Sequence, residues 1–187
     1  MSVPGDDPAL RRITHAELVH RPGERALAAR VLELLGCRVV DSGRHWFSAF
    51  VEPSVADWRT NLLYASEATP AQWAFERSLA GALAAGGDLA RDAEAWRADL
   101  GRRPQYSCHI GLRLPSEAAR DAAVAAVREA GANDPELAGR IDVTGVFRPG
   151  DPDAATDTMV QAFVRTDVIA CGLLTFDQHI ELQWHLP

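Results

Sequence analysis

Three short stretches of this 187-residue sequence set imidazoles and carboxylates two positions apart in alternating, extended runs. In RITHAELVH the set is His15, Glu17 and Val19; in SCHIGLRL it is His109, Gly111 and Arg113; in HIELQWH it is Glu181, Gln183 and His185. Side chains alternate across a strand, so each set shares one face. The opposite faces carry Ala16 and Leu18, then Ile110, Leu112 and Leu114, then Ile180, Leu182 and Trp184. An antiparallel sheet with one solvated face would show such alternation. Histidine, glutamate and arginine repeated at these places favour a lined cavity, where they serve as metal ligands or as acid–base groups.

The elements that must position these faces occur as two copies of one pattern. Residues 12–20 read as a strand that stops at Arg21-Pro22-Gly23, and ERALAARVLELL (24–35) follows with Leu27, Val31, Leu34 and Leu35 at helical spacing and Gly36 as C-cap. Extended segments then come at 37–41, 46–51 and 61–65. From Tyr106 the order repeats: a strand over 107–114, a helix opened by Ser116 as N-cap and closed at Gly131, and strands over 141–147, 159–164, 168–176 and 179–185. Both copies read as βαβββ, and the stretch near 158–167 looks like the extra element of the second. The fold expected is α+β: a polar tail over 1–10, a first module over 11–69, a helical connector over 70–104 and a second module over 105–187, all in one structural domain. Thr69 and Pro70 mark the start of the connector as N-cap and first helical residue. Trp73, Leu79 and Leu83 form one face of its first helix, and Leu89, Ala93, Trp96 and Leu100 one face of its second, suited to packing outside the sheet.

Composition removes several classes. A net charge of −7, with all 19 cationic residues arginine, argues against nucleic acid as a partner. Cys37, Cys108 and Cys171 form no CxxC and no even framework, so a reducing cytoplasm is expected. No apolar run reaches the roughly 20 residues of a membrane span, and no signal-peptide core precedes residue 11. Gly-rich phosphate loops and a GxSxG elbow are missing as well.

The stretch RITHAELVHRPGERALAARVLELLGCRVVD resembles the opening of a vicinal-oxygen-chelate module, the superfamily of glyoxalases, bleomycin-resistance proteins and extradiol dioxygenases. CHIGLRLPSEAARDAAVAAVREAG resembles the same opening in a second module, and LLTFDQHIELQ its closing hairpin. The resemblance implies two βαβββ modules forming a cupped mixed β-sheet around a central metal. It assigns the metal ligands to His15, His109 and Glu181. Glyoxalase-type members add a fourth ligand from the last strand of the first module. Aligned on His179-Ile180-Glu181, that place falls on Leu63, which cannot bind metal, and Glu67 lies four residues further on with the same parity. The Asp-Pro-Asp-Gly-Asn turn common before the closing strand is replaced here by Thr175-Phe176-Asp177-Gln178-His179.

Two histidines and one carboxylate leave coordination positions open, an arrangement suited to Fe(II) that must bind substrate oxygens and dioxygen together. The resemblance therefore implies an extradiol-type dioxygenase acting on a small aromatic or vicinal-oxygen substrate. Two alternatives stand beside it: an isomerase, epimerase or lyase of the glyoxalase type using Mn(II), Zn(II) or Ni(II), and a metal-free protein that sequesters a small molecule such as an antibiotic. Glu17, Arg113 and His185 are the candidate catalytic residues beside the metal; a Glu17–Arg113 ion pair is the structural alternative for the first two. His179, His185 and Tyr64 are candidates for acid–base work by position. Trp46 and Phe50 share a face suited to core packing or to a cavity wall, Cys171 reads as a small core residue, and His20 and His45 read as exposed. The partners expected are a small-molecule substrate and a second copy in a homodimer, with neither nucleic acid nor membrane.

Overall fold

A computed structural model of the chain describes residues 13–55, 57–58 and 61–186. The tail at 1–10 and the Arg11-Arg12 pair lie outside the described residues. The first strand, β1 (His15–His20), leads into helix α1 (Arg25–Leu34), then β2 (Arg38–Val40), β3 (Trp46–Phe50) and β4 (Leu62–Glu67). A helical hairpin follows, α2 (Pro70–Ala84) and α3 (Asp88–Arg102). The second half runs β5 (His109–Arg113), α4 (Glu117–Asn133), β6 (Ile141–Phe147), β7 (Met159–Thr166), β8 (Ile169–Ala170) and β9 (Gln178–His185). None of the described helices is long and apolar enough to cross a membrane.

Two mixed sheets result, ordered β2-β3-β4-β1-β8 and β5-β9-β7-β6. Each repeats one connectivity. The opening strand lies parallel to the closing one, β1 on β4 and β5 on β9, and the strands between are antiparallel. A parallel pair needs a crossover, and α1 and α4 supply it. Helix α1 buries Leu27, Ala28, Val31 and Leu32, and α4 buries Ala123, Val124 and Val127. These meet Leu18, Phe47, Leu63 and Ala65 of the first sheet and Leu112, Val164, Ile180 and Leu182 of the second in one continuous core.

The extra element of the second half is not the stretch near 158–167. Met159–Thr166 is a full central strand, and the surplus piece is β8, which leaves its own sheet and pairs antiparallel with β1 through Val19–Ala170 and His20–Ile169. The extended run expected over 168–176 therefore breaks after Ala170 and closes in a 3-10 turn at Leu174–Phe176. A set of ion pairs frames this crossing. Arg140 donates to Glu24 at 2.8 and 2.9 Å and to Asp167 at 2.9 Å, and Asp167 also receives Arg21 at 2.6 Å.

Local signals fare well at helix starts. Thr69 accepts from Gln72 N–H at 3.2 Å and Ser116 from Ala119 N–H at 3.1 Å. Gly36 follows α1 with φ +89°, the left-handed conformation a helix end favours. Gly131 does not end its helix, which continues to Asn133. A Cβ there would lie 2.5 Å from the Ile141 carbonyl, so this glycine lets β6 approach the helix backbone.

The helical hairpin buries little along the stripes read from the sequence. Leu89 and Trp96 are exposed, and the buried residue of α2 is a carboxylate, Glu76, at 2 % exposure. Its oxygens accept from Leu174 N–H at 2.8 Å, from Thr175 N–H at 3.0 Å and from the Thr175 hydroxyl. Glu76 thus caps the 3-10 turn from another element. Helix α3 adds Arg97, which donates to the Thr175 carbonyl at 2.7 Å, and Trp96, whose ring lies 4.9 Å from that of Phe176.

Two outcomes follow. Glu76→Ala leaves the Leu174 and Thr175 N–H groups without an acceptor and should lower the unfolding free energy by about 1–3 kcal/mol, read by urea denaturation; Glu76→Gln should recover part of the loss. Arg25 and the Gly43 N–H hold the Asp41 carboxyl at about 2, below its ordinary 3.8. A carboxyl lowered on folding stabilises above its unfolded pKa and loses that contribution as pH falls through the folded one. The melting-temperature gap between wild type and Asp41→Asn should therefore be full at pH of about 5 and shrink towards pH 2.

Candidate functional site

The 3-10 turn Pro104–Tyr106, at the foot of the hairpin, delivers the chain into β5 and presents the Ser107 carbonyl to His109 Nδ1 at 2.9 Å. A carbonyl only accepts, so Nδ1 carries a proton. The other ring nitrogen, Nε2, lies 3.1 Å from Glu181 Oε2. The parallel ladder sets this meeting, with His109 opposite His179 and Gly111 opposite Glu181. Glu181 is 2 % exposed, and its Oε1 accepts from Gln161 Nε2 at 2.5 Å, from the neighbouring strand β7.

Two glycines leave room on this face. A Cβ on Gly111 would stand 2.9 Å from Gln183 Nε2 and 3.7 Å from Glu181 Oε2. One on Gly145 would strike the Phe147 ring at 2.9 Å. Phe147 in turn packs edge-on to Phe163, and Phe163 edge-on to His109. A buried carboxylate beside a partly exposed imidazole, with an aromatic wall, is the result.

The counterpart in the first sheet is more open. His15 Nδ1 lies 3.0 Å from the Thr14 hydroxyl and its Nε2 4.0 Å from Glu17 Oε1, with both side chains about half exposed. The His15 ring lies 5.1 Å from Tyr64, which meets Trp46 edge-on. His15 stands opposite Leu62 as His109 stands opposite His179, and Glu17 opposite Tyr64 as Gly111 opposite Glu181. Tyr64, not Leu63, therefore occupies the place that Glu181 holds in the second sheet. Leu63 is buried on the helix-covered face, since one residue of slip in a strand exchanges the faces.

The expected residues thus fall into two groups. His109 and Glu181 are brought together, joined by Gln161; His15, Glu17 and Tyr64 form a second cluster on the other sheet. Among the described residues, no three His, Cys, Asp or Glu side chains are gathered closely enough to hold a metal ion. The donor chemistry of His109 and Glu181 suits a cation, but His15 does not share their group. Arg113 is exposed opposite Gln183, and no ion pair joins it to Glu17 among the described residues. His185, opposite Met159 at the far end of β9, is partly exposed. Phe50 is buried beside Trp58, with the Arg38 guanidinium over its ring.

Two expectations on exposure are corrected. His20 is fully buried, its Nδ1 2.9 Å from the Arg21 carbonyl and its ring stacked on Phe47. Cys171 is exposed, because β8 ends one residue before it. With Cys108, His179, Trp96 and Phe176 it lines a cleft of about 260 Å³. Burial, above all, holds the His179 imidazole below its ordinary pKa; Arg165 and His109 push the same way and Asp177 opposes them.

Gln161 and Glu76 were not singled out in the sequence. A lone glutamine inside the apolar run MVQAFV is the available signal for the first, and a glutamate at the centre of an otherwise apolar helix face the signal for the second.

No protein-family model matches this sequence, and no curated protein does. Among solved structures, the chain is similar to that of "hypothetical protein SA1046 from S. aureus", with 11 % identity, 94 % of each chain covered and a TM-score of 0.43.

The thiols separate by environment. Burial pushes the Cys37 thiol up to about 12, whereas Cys108 and Cys171 reach solvent. A thiol-titrating reagent should label Cys108 and Cys171 in the folded protein and Cys37 only after denaturant is added; early labelling of Cys37 would contradict the packing of α1 on the first sheet.

Proposed function

We propose that the chain is a metal-dependent enzyme of the vicinal-oxygen-chelate type, with His109 and Glu181 as the ligands that the fold brings together. The observation that carries this reading is the meeting of His109 Nε2 with Glu181 Oε2 at 3.1 Å while His109 Nδ1 donates to Ser107. With Nδ1 donating to Ser107, a bare Nε2 would direct its lone pair at a carboxylate oxygen and set two acceptors against each other. A second proton on the ring, or a cation between the two, relieves that contact. Metal-binding histidines commonly have their other nitrogen fixed by a backbone carbonyl in this way, and ligating carboxylates are themselves hydrogen-bonded, as Glu181 is by Gln161.

A divalent ion held there would act as a Lewis acid towards vicinal substrate oxygens; Fe(II) and extradiol ring cleavage is the leading reaction, with glyoxalase-type isomerase or lyase chemistry second. The residues of the chain have separate tasks in this reading. Ser107 fixes the His109 tautomer, and Gln161 holds the Glu181 carboxylate in one orientation. Phe163 and Phe147 keep water from the pair. His179, the ladder neighbour of His109, is kept neutral by burial and serves as proton acceptor towards a substrate in the 260 Å³ cleft.

One observation favours a metal-free sequestering protein as the second reading: Glu181 is already held by Gln161, and no three-donor group is assembled among the described residues. Elemental analysis of untagged protein purified anaerobically separates the readings. Near-stoichiometric iron is expected, and zinc, manganese or nickel would move the reaction to the isomerase or lyase class. No metal after soaking with each ion would leave the sequestering reading. His109→Ala should fold and retain no metal, and full metal content in that variant would overturn the ligand assignment. Gln161→Leu should weaken metal affinity by about 10–100-fold, the usual cost of removing a group that orients a ligand.

A further inference from the structure

A cleft of about 690 Å³ lies away from His109 and Glu181, between the helical hairpin and the segment that joins β7 to β9. Its volume falls within the range of small-molecule sites. One wall is apolar, formed by Trp73, Ala80, Leu83 and Ala84 of α2 with Leu174 opposite. Three guanidiniums line it as well: Arg21, Arg77 and Arg97.

The carboxylates in the walls are already engaged. Asp167 is held by Arg21 and Arg140, Asp177 by Arg165, and Glu76 by the N–H groups of Leu174 and Thr175. Counting Arg140 and Arg165, together with the Glu24 that Arg140 also holds, five guanidiniums stand in or beside the cleft against four carboxylates. That local excess of positive charge stands in a chain whose net charge is −7. Arg77 has no hydrogen-bond or ion-pair partner among the described residues. Arg97 uses one N–H on the Thr175 carbonyl and lies over the Phe176 ring, which fixes the guanidinium while leaving further donors free.

We propose that this cleft is a binding site for a small organic anion, a carboxylate on an aromatic or extended apolar body, with the carboxylate between Arg77 and Arg97 and the body against Trp73 and Leu83. Guanidinium matches carboxylate geometry with two parallel N–H donors, and the apolar wall supplies burial for the remainder. The site does not depend on a metal at His109 and Glu181.

Calorimetric titration with cinnamate tests it. Saturable binding by the wild type is expected, with at least about tenfold weaker binding of cinnamyl alcohol, which keeps the body and lacks the charge. Arg77→Gln, a change at an exposed side chain, should leave the melting temperature unchanged and weaken cinnamate by about tenfold or more. Absence of saturable binding to the wild type, equal affinity for the alcohol, or full affinity in Arg77→Gln would each overturn the proposal.

Discussion

Asp167 is the point at which the two halves of the molecule are tied together. Its carboxylate accepts from Arg21, at the end of β1, and from Arg140, at the start of β6, while Arg140 turns its other donors to Glu24 at the start of α1. Each of these groups is only about one-quarter exposed or less, so the charges are partly withdrawn from water and poorly replaced by it. Removing one partner would leave the others uncompensated, which costs more than an exposed pair is worth. Directly beyond Asp167 the chain enters β8 and joins the edge of β1. The ion pairs and the strand crossing support the same junction, and the continuous core beneath α1 and α4 depends on it.

The helical hairpin acts on the segment between β8 and β9. Glu76 caps the 3-10 turn, Arg97 takes the carbonyl of the middle residue and Trp96 packs on Phe176. The chain then reverses through Asp177 at φ +60° and ψ 166°, a backbone region normally left to glycine, and Arg165 donates to its carboxylate. Gln178 follows, accepting from Cys171 N–H and donating to the Cys108 carbonyl. Through this series the hairpin sets where β9 begins, and with it the register that puts Glu181 beside His109.

Much of this was legible in the residues. Strand parity identified the faces of His15, His109 and Glu181, because a buried helix-covered face forces the alternation. Thr69, Ser116 and Gly36 marked helix ends through local hydrogen bonding and backbone freedom, which need no tertiary context. What could not be read depends on contacts distant in sequence. The two-residue β8 has no period of its own, and its partner β1 is 149 positions away by the ladder pair His20–Ile169 (169 − 20). The role of Gly131 rests on the approach of the Ile141 carbonyl, and that of Glu76 on a turn almost a hundred residues later. Leu63 was misjudged by one position because an alignment on side-chain likeness does not fix a ladder, whereas the pairing of Glu17 with Tyr64 does.

The borrowed strand also orders events during synthesis. β1 is made before β2, β3 and β4, which can pair in its sheet soon afterwards. Its edge at Val19 and His20 stays open until Ile169 and Ala170 have been made. An open strand edge invites pairing with other chains. The nascent first half therefore carries an exposed edge while every segment between β1 and β8 is being made, and closure of that sheet waits for β8.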